Sequence, residues 1–221
     1  MQQGIKAVVF DMDGVIFDSE RLVIECWKVI AHKYGVPDIE EACRECLGVN
    51  STETKQKFLN RYGQDFPYDT YKGEMSKLYH DNYDGGRLPM KKGVVELLQY
   101  LKENNVKVAL ASSTRSSVVK QELTDAGIIE YFQVIIGGDM VTRSKPQPDI
   151  FLKACEELGV EPQEAFAIED SYNGIRAAAA GSLRPLMVPD LMLPTEEMEQ
   201  LSERIFESLF EVKEYLAFEE E

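Results

Sequence analysis

The sequence predicts an α/β fold, a doubly wound parallel sheet with a helical bundle inserted after its first strand. Three observations predict it. Five short apolar runs, at residues 5–10, 106–111, 133–136, 165–168 and 184–188, have the length of buried strands. Segments of helical periodicity separate the last four runs, and strand–helix alternation builds a parallel sheet covered on both faces. Residues 19–88 carry no strand-like run and read as helices throughout.

Taken in order, Ile5-Lys6-Ala7-Val8-Val9-Phe10 is a buried strand that empties into Asp11-Met12-Asp13-Gly14. Leu22, Cys26, Val29, Ile30 and Tyr34 then form one apolar stripe, stopped by Gly35-Val36-Pro37. A second helix is expected over residues 39–47. Asn50 with Glu53 reads as a capping box for a third, which ends near Gly63. Tyr71, Met75, Leu78 and Tyr79 mark a fourth, halted at Gly85-Gly86. Trp27 is expected in the core of this block. The chain would cross into it near residues 17–19 and return near 85–89, giving a catalytic core of residues 1–18 and 89–221 and a helical cap of residues 19–88.

Beyond the insert, Val94, Leu97, Leu98 and Leu101 repeat at helical spacing, as do Val118, Val119, Leu123 and Ala126 before Gly127. Ser116 is expected to cap the second of these helices. Pro148 opens a helix whose apolar side is Ile150, Phe151, Ala154, Cys155 and Leu158, closed by Gly159. A last helix over residues 175–180 ends at Gly181.

Composition narrows the function classes. Over 221 residues, 39 acids against 24 bases give a formal charge of −15, which argues against nucleic acid and against an anionic membrane surface. An anionic substrate would then need local positive charge. No apolar stretch reaches membrane-spanning length, and strand-like sequence begins almost at once, so neither a secretory leader nor a membrane anchor is expected. Cys26, Cys43, Cys46 and Cys155 make no disulfide framework in a chain of this size, and a cytoplasmic monomer is expected. Cys43 and Cys46 form a lone Cys-x-x-Cys, read as two small residues on one helix face. The Glu219-Glu220-Glu221 tail reads as a solubility device.

Ligands of a doubly wound sheet bind beyond the carboxyl ends of its strands. Asp11 and Asp13 follow the first strand; Ser112, Ser113, Thr114 and Arg115 the second; Gly137-Gly138-Asp139, then Lys145-Pro146, the third; Glu169, Asp170 and Ser171 the fourth. Acids, hydroxyls and one lysine on a single rim suit phosphoryl transfer. A carboxylate can accept the phosphoryl group as an aspartyl-phosphate, and hard oxygen ligands suit Mg2+. Hydroxyls and a lysine would hold the phosphate oxygens, and a second acid would move the proton.

Asp11-Met12-Asp13-Gly14-Val15, Ser112, Lys145-Pro146 and Glu169-Asp170-Ser171 resemble, in order, the four motifs of the haloacid dehalogenase superfamily. The helical insert resembles the cap of its beta-phosphoglucomutase and phosphatase subgroup, and Lys145-Pro146-Gln147-Pro148-Asp149-Ile150-Phe151 strengthens that placement. The resemblance implies a Rossmann-like core, Asp11 as nucleophile and Asp13 as acid/base, with Ser112, Ser113 and Lys145 on the phosphoryl group. It implies Mg2+ on Asp11, Asp13 (through its backbone carbonyl), Asp170 and Glu169, the last directly or through water. Gly14 would let the backbone pass close to the phosphate. Dehalogenases of the superfamily generally lack the second acid, so Asp13 favours phosphate chemistry.

A sugar phosphomutase of this subgroup carries a cap arginine just after a Gly-Val pair and a histidine early in the first cap helix. Here Gly48-Val49 is followed by Asn50, Ser51 and Thr52, and Val23 stands at the histidine's place, whereas Arg115 is retained. Two departures against one retained residue favour hydrolysis, with the mutase as the alternative. A non-enzymatic phospho-accepting receiver domain is a further alternative, disfavoured by the insert and the length. Specificity is expected from Ser19, Asn50, Ser51 and Arg115, whereas Glu20 and Lys77 read as solvated surface. Uncharged Asn50 and Ser51 suit a sugar or polyol phosphate, so the expected partner is a small phosphorylated metabolite.

Overall fold

Strand β1 (Ala7–Phe10) is flanked on both sides, by β2 (Lys107–Ser112) and by β4 (Ala165–Glu169), each parallel to it. The computed structural model describes residues 6–49 and 51–217; Ile5, Asn50 and the Glu219-Glu220-Glu221 tail lie outside the described residues. With β3 (Val134–Gly137), β5 (Arg184–Met187) and β6 (Arg204–Ile205), the six strands run in the order β3-β2-β1-β4-β5-β6, all parallel. The two-residue β6 lies beyond the five expected strands, too short to register as an apolar run.

Side-chain alternation divides β1 between two cores. Val8 and Phe10 face a layer built with α5 (Val94–Glu103), α6 (Ser116–Asp125) and α10 (Leu209–Ala217), where Leu97, Leu98, Leu123 and Val212 are fully buried. Ala7 and Val9 face the opposite layer, where Ala109, Ala165 and Ala167 admit Phe151 and Ala154 of α7 (Asp149–Leu158) and Ala177 and Ala178 of α8 (Tyr172–Ala180). Short α9 (Glu196–Leu201) packs Met198 against Ile175 and Met187. Pro148 precedes α7 rather than opening it. Ser116 is the first residue of α6, not its cap: its backbone N–H and hydroxyl both donate to Asp139.

Residues 19–88 hold α1 (Ser19–Tyr34), α2 (Ile39–Arg44), α3 (Ser51–Tyr62) and α4 (Tyr68–Tyr83) around a core of their own. Trp27 lies in that core, its ring centroid 5.0 Å from Phe58 and 6.0 Å from Tyr68. The α1 stripe differs from the expected one. Its buried arc runs through Leu22, Cys26, Ile30, Trp27, Ala31 and Ile24, so Val29 and Tyr34 fall off the edge, 56% and 38% exposed. Cys43 is buried and Cys46 half-buried, and burial pushes their thiols up to about 12 and about 11, values of inert packing groups. Among the described residues no helix is long and apolar enough to cross a membrane.

Candidate active site

The carboxyl ends of β1, β2 and β4 converge, and the Asp11 N–H donates to Ile168 O of the neighbouring strand at 2.9 Å. This plants the Asp11 side chain, 10% exposed, beside Glu169 and Asp170 at the end of β4. Lys145 arrives on the loop after β3 and closes the group. Its ammonium donates to Asp11 Oδ1 and Glu169 Oε1, both at 2.5 Å, and to Ala111 O at 3.1 Å. Burial would lower the Lys145 pKa, but the carboxylates of Asp11 and Glu169 outweigh it and hold the ammonium above its ordinary range. Asp11 is pushed up to about 7, chiefly by burial; Lys145 opposes this, and the Glu169 and Asp13 charges add to it.

Glu169 is tied on its other side. Its Oε2 accepts from the backbone N–H groups of Asp170 and Ser171, each at 3.1 Å, and from the Ser171 hydroxyl at 2.9 Å. Ser171 in turn caps α8, accepting from the Gly174 N–H at 3.1 Å. Gly174 is obligatory there, since a Cβ would lie 1.8 Å from the Glu169 carboxyl carbon.

Asp13 has a different environment, although only Met12 separates it from Asp11. It is half-buried, and no ammonium or guanidinium pairs with it among the described residues. Two hydroxyls hold it: Ser19 Oγ donates to Oδ1 at 2.5 Å and Thr114 Oγ1 to Oδ2 at 3.2 Å. Ser19, expected to contribute to specificity, lines the cleft, is 3% exposed and gives its hydroxyl to Asp13. Gly14 has a steric role as well. At φ +81° it sits in the left-handed region, and a Cβ would lie 2.3 Å from Asp170 Oδ2, so the glycine makes room for a carboxylate.

Above these groups lies a cleft of about 690 Å³ between the carboxyl ends of the strands and the helices of residues 19–88. Ser113, Thr114, Gly138, Ser144, Lys145 and Ser171 line its floor with Asp11, Asp13 and Asp170. Ser113 opens onto the cleft, whereas Ser112 lies beneath it, fully buried, its Oγ accepting from the Thr114 N–H at 3.0 Å. The cap wall carries Val23, Trp27, Leu47, Met75 and Tyr79, with Ser51, Thr54, Lys72 and Ser76 as polar groups. Arg115 is exposed, precedes α6 and does not line the cleft. Lys77 is exposed and paired with Asp81, as expected of surface. Glu20 is not surface: it lines the cleft with one oxygen buried and unpartnered, and burial followed by the charges of Asp13 and Asp190 pushes its carboxyl up to about 8.

Oxygens of Asp11, Glu169 and Asp170 lie within 4.8 Å of one another, and Asp170 Oδ2 is buried without a hydrogen-bond partner. Such an all-oxygen, anionic set fits a hard divalent cation.

The family model for haloacid dehalogenase-like hydrolases matches residues 8–188. The chain belongs to that family. A phosphorylated carbohydrates phosphatase of Thermotoga maritima is 31% identical over 183 residues, 81% of this chain and 82% of that protein. A beta-phosphoglucomutase of Bacillus subtilis is 31% identical over 205 residues, 86% and 89% of the two chains. Among solved structures, CbbY from Rhodobacter sphaeroides in complex with phosphate superposes with a TM-score of 0.77 at 29% identity, covering 94% of this chain and 96% of that one. This haloacid dehalogenase-like hydrolase thus stands among phosphatase-type enzymes with a parallel α/β core.

Two features of the hydrolase escaped the sequence reading. Thr114 stood in the hydroxyl run after β2, but its bond to Asp13 depends on how that loop turns back over β1. Asp190, beside Glu20 and Asp170, follows β5 directly and would have been found by extending the strand-end rule one strand further.

Proposed function

We propose that the chain is a Mg2+-dependent phosphomonoester hydrolase that works through an aspartyl-phosphate on Asp11, with residues 19–88 as the cap that sorts leaving groups. The observation that carries this reading is the division between two neighbouring carboxylates. Asp11 is buried against Lys145, whereas Asp13 is free of cations and steadied by two hydroxyls at the cleft floor. Asp11 and Asp170, with the Asp13 backbone carbonyl and with Glu169 at hand, would hold the cation, which supplies positive charge against the phosphoryl oxygens.

Asp11 attacks phosphorus through a carboxylate oxygen while the ester P–O bond breaks, and Asp13 delivers its proton to the departing oxygen. Asp13 then takes a proton from the water that attacks the acyl-phosphate, and inorganic phosphate leaves with Asp11 restored. Lys145 places its ammonium where charge builds on the phosphoryl group. Ser113 and the backbone after β2 receive its oxygens, and Ser112 supports that turn from below.

The cleft supports a small phosphorylated sugar or polyol as substrate. Val23 and Leu47 offer apolar surface to the C–H face of such a ring, and Ser51 and Ser76 offer hydroxyl partners. One observation favours the phosphomutase as a second reading. Lys72 lines the same cleft from the cap, a cation at the wall where a second phosphate would need one.

The test is a Mg2+-dependent phosphate-release screen over sugar phosphates and nucleotides, including beta-glucose 1-phosphate with catalytic glucose 1,6-bisphosphate. Free phosphate from sugar phosphates is expected, and Asp11→Asn should abolish it. Glucose 6-phosphate without free phosphate would establish the mutase instead.

A further inference from the structure

Among the described residues, Glu20 Oε2, Asp170 Oδ2 and Asp190 Oδ2 are buried side-chain oxygens without a hydrogen-bond partner. The three carboxylates form one cluster, each bringing one oxygen within 4.8 Å of an oxygen of the other two. Three separate elements build it. Asp170 follows β4, Asp190 follows the adjacent β5, and Glu20 lies in the first turn of α1. The Asp190 side chain is 8% exposed and fixed from one side, where Lys91 Nζ meets its Oδ1 at 2.5 Å. Lys91 is anchored by its own N–H, which donates to Ile16 O at 2.8 Å. One ammonium against three carboxylates leaves acceptors that face neither water nor a donor, an arrangement that is costly unless something completes it.

Mg2+ dehydrates reluctantly and keeps several waters when protein carboxylates bind it. Those waters are strong donors and need acceptors just outside the coordination sphere. We propose that Glu20 and Asp190 are these acceptors: they extend the cradle of Asp11 and Asp170 by holding cation-bound waters, and they thereby set cation affinity. This rests on Asp11 and Asp170 being the cation's ligands. Glu20 is then a positioning residue that links the first turn of the cap to the metal.

The experiment is calorimetric titration of the full-length, metal-free chain with Mn2+, without substrate. The unaltered chain should bind one Mn2+, and Glu20→Gln and Asp190→Asn should each weaken binding by about 10- to 100-fold at the same stoichiometry. Glu20→Asp keeps the carboxyl but shortens the arm, so it too should lose about tenfold. Glu25→Gln, an exposed charge on the same helix, should leave affinity within about twofold. Circular dichroism shows that each variant is folded. Wild-type affinity in Glu20→Asp and Glu20→Gln would overturn the proposal, as would two Mn2+ per chain, because the cluster would then hold a cation of its own. Undiminished binding by Asp170→Asn would instead overturn the ligand assignment beneath it.

Discussion

Ser19, the first residue of α1, donates its hydroxyl to Asp13 Oδ1 at 2.5 Å, so the group proposed to move the proton is held from the helical insert. Thr114 holds the other oxygen from the core side at 3.2 Å. If Asp13 is the acid/base, it would be aligned only with both the helical insert and the strand ends in place, which would tie proton transfer to the position of α1.

Ser19→Ala therefore should lower kcat by about tenfold or more while KM for a small phosphomonoester changes little, because misplacing a reacting group costs rate rather than ground-state binding. Steady-state phosphate release, with a melting curve to confirm folding, checks this. An unchanged kcat would remove Ser19 from the mechanism.

Lys145 carries a structural burden as well. Its side chain is 7% exposed, and its ammonium lies between the Asp11 and Glu169 carboxylates. Removing one partner from a buried pair leaves uncompensated charge, so Lys145→Ala should destabilise the metal-free protein by about 3–5 kcal/mol. Urea denaturation in EDTA gives the number. A loss below about 1 kcal/mol, the range of an exposed pair, would mean that water reaches these carboxylates freely.

Glu122, on α6 at the cleft, yields a pH prediction. Burial, reinforced by the charges of Asp13 and Asp84 and opposed by His80, pushes its carboxyl from 4.5 to about 7. Between those values the folded chain keeps a proton that the unfolded chain has released, so this group's contribution to stability falls as pH rises and is lowest above about 7. Glu122→Gln should match wild type near pH 4.5 and exceed it at pH 8. After allowance for solvent screening the gain is about 1 kcal/mol. Denaturation midpoints of both proteins at pH 5 and pH 8 test the sign; a gap that narrows with rising pH would refute it.

What the sequence made legible follows the reach of the interactions involved. Asp11, Lys145, Glu169 and Asp170 were readable because a parallel sheet sends every strand end to one rim, so chain order alone brings them together. The bond from Ser19 to Asp13 was not legible because a hydroxyl at a helix start looks the same whether it caps, meets substrate or, as here, reaches six residues back to a carboxylate. Glu20 was misread for a related reason. An acid in a first helical turn normally faces solvent and favours the helix dipole, and only the fold of α1 against the β4 and β5 ends buries it. Val29 failed because periodicity gives the spacing of an apolar stripe but not the width of its buried arc, which depends on what packs against either flank.

Gly14 offers the sharpest separation of strain from chemistry. An alanine there would sit at φ +81° and put its Cβ 2.3 Å from Asp170 Oδ2, so Asp170 must move. Gly63 provides the control, because it has φ +99° yet a Cβ would meet nothing within 4 Å. Both alanine variants should lose about 1–3 kcal/mol of stability from backbone strain. Only Gly14→Ala should also lose Mn2+ affinity, by about tenfold or more, since a displaced carboxylate no longer presents its oxygen to the cation. Equal Mn2+ affinity in the two variants would mean that Asp170 is not needed where the fold has placed it, and the metal assignment would fail with it.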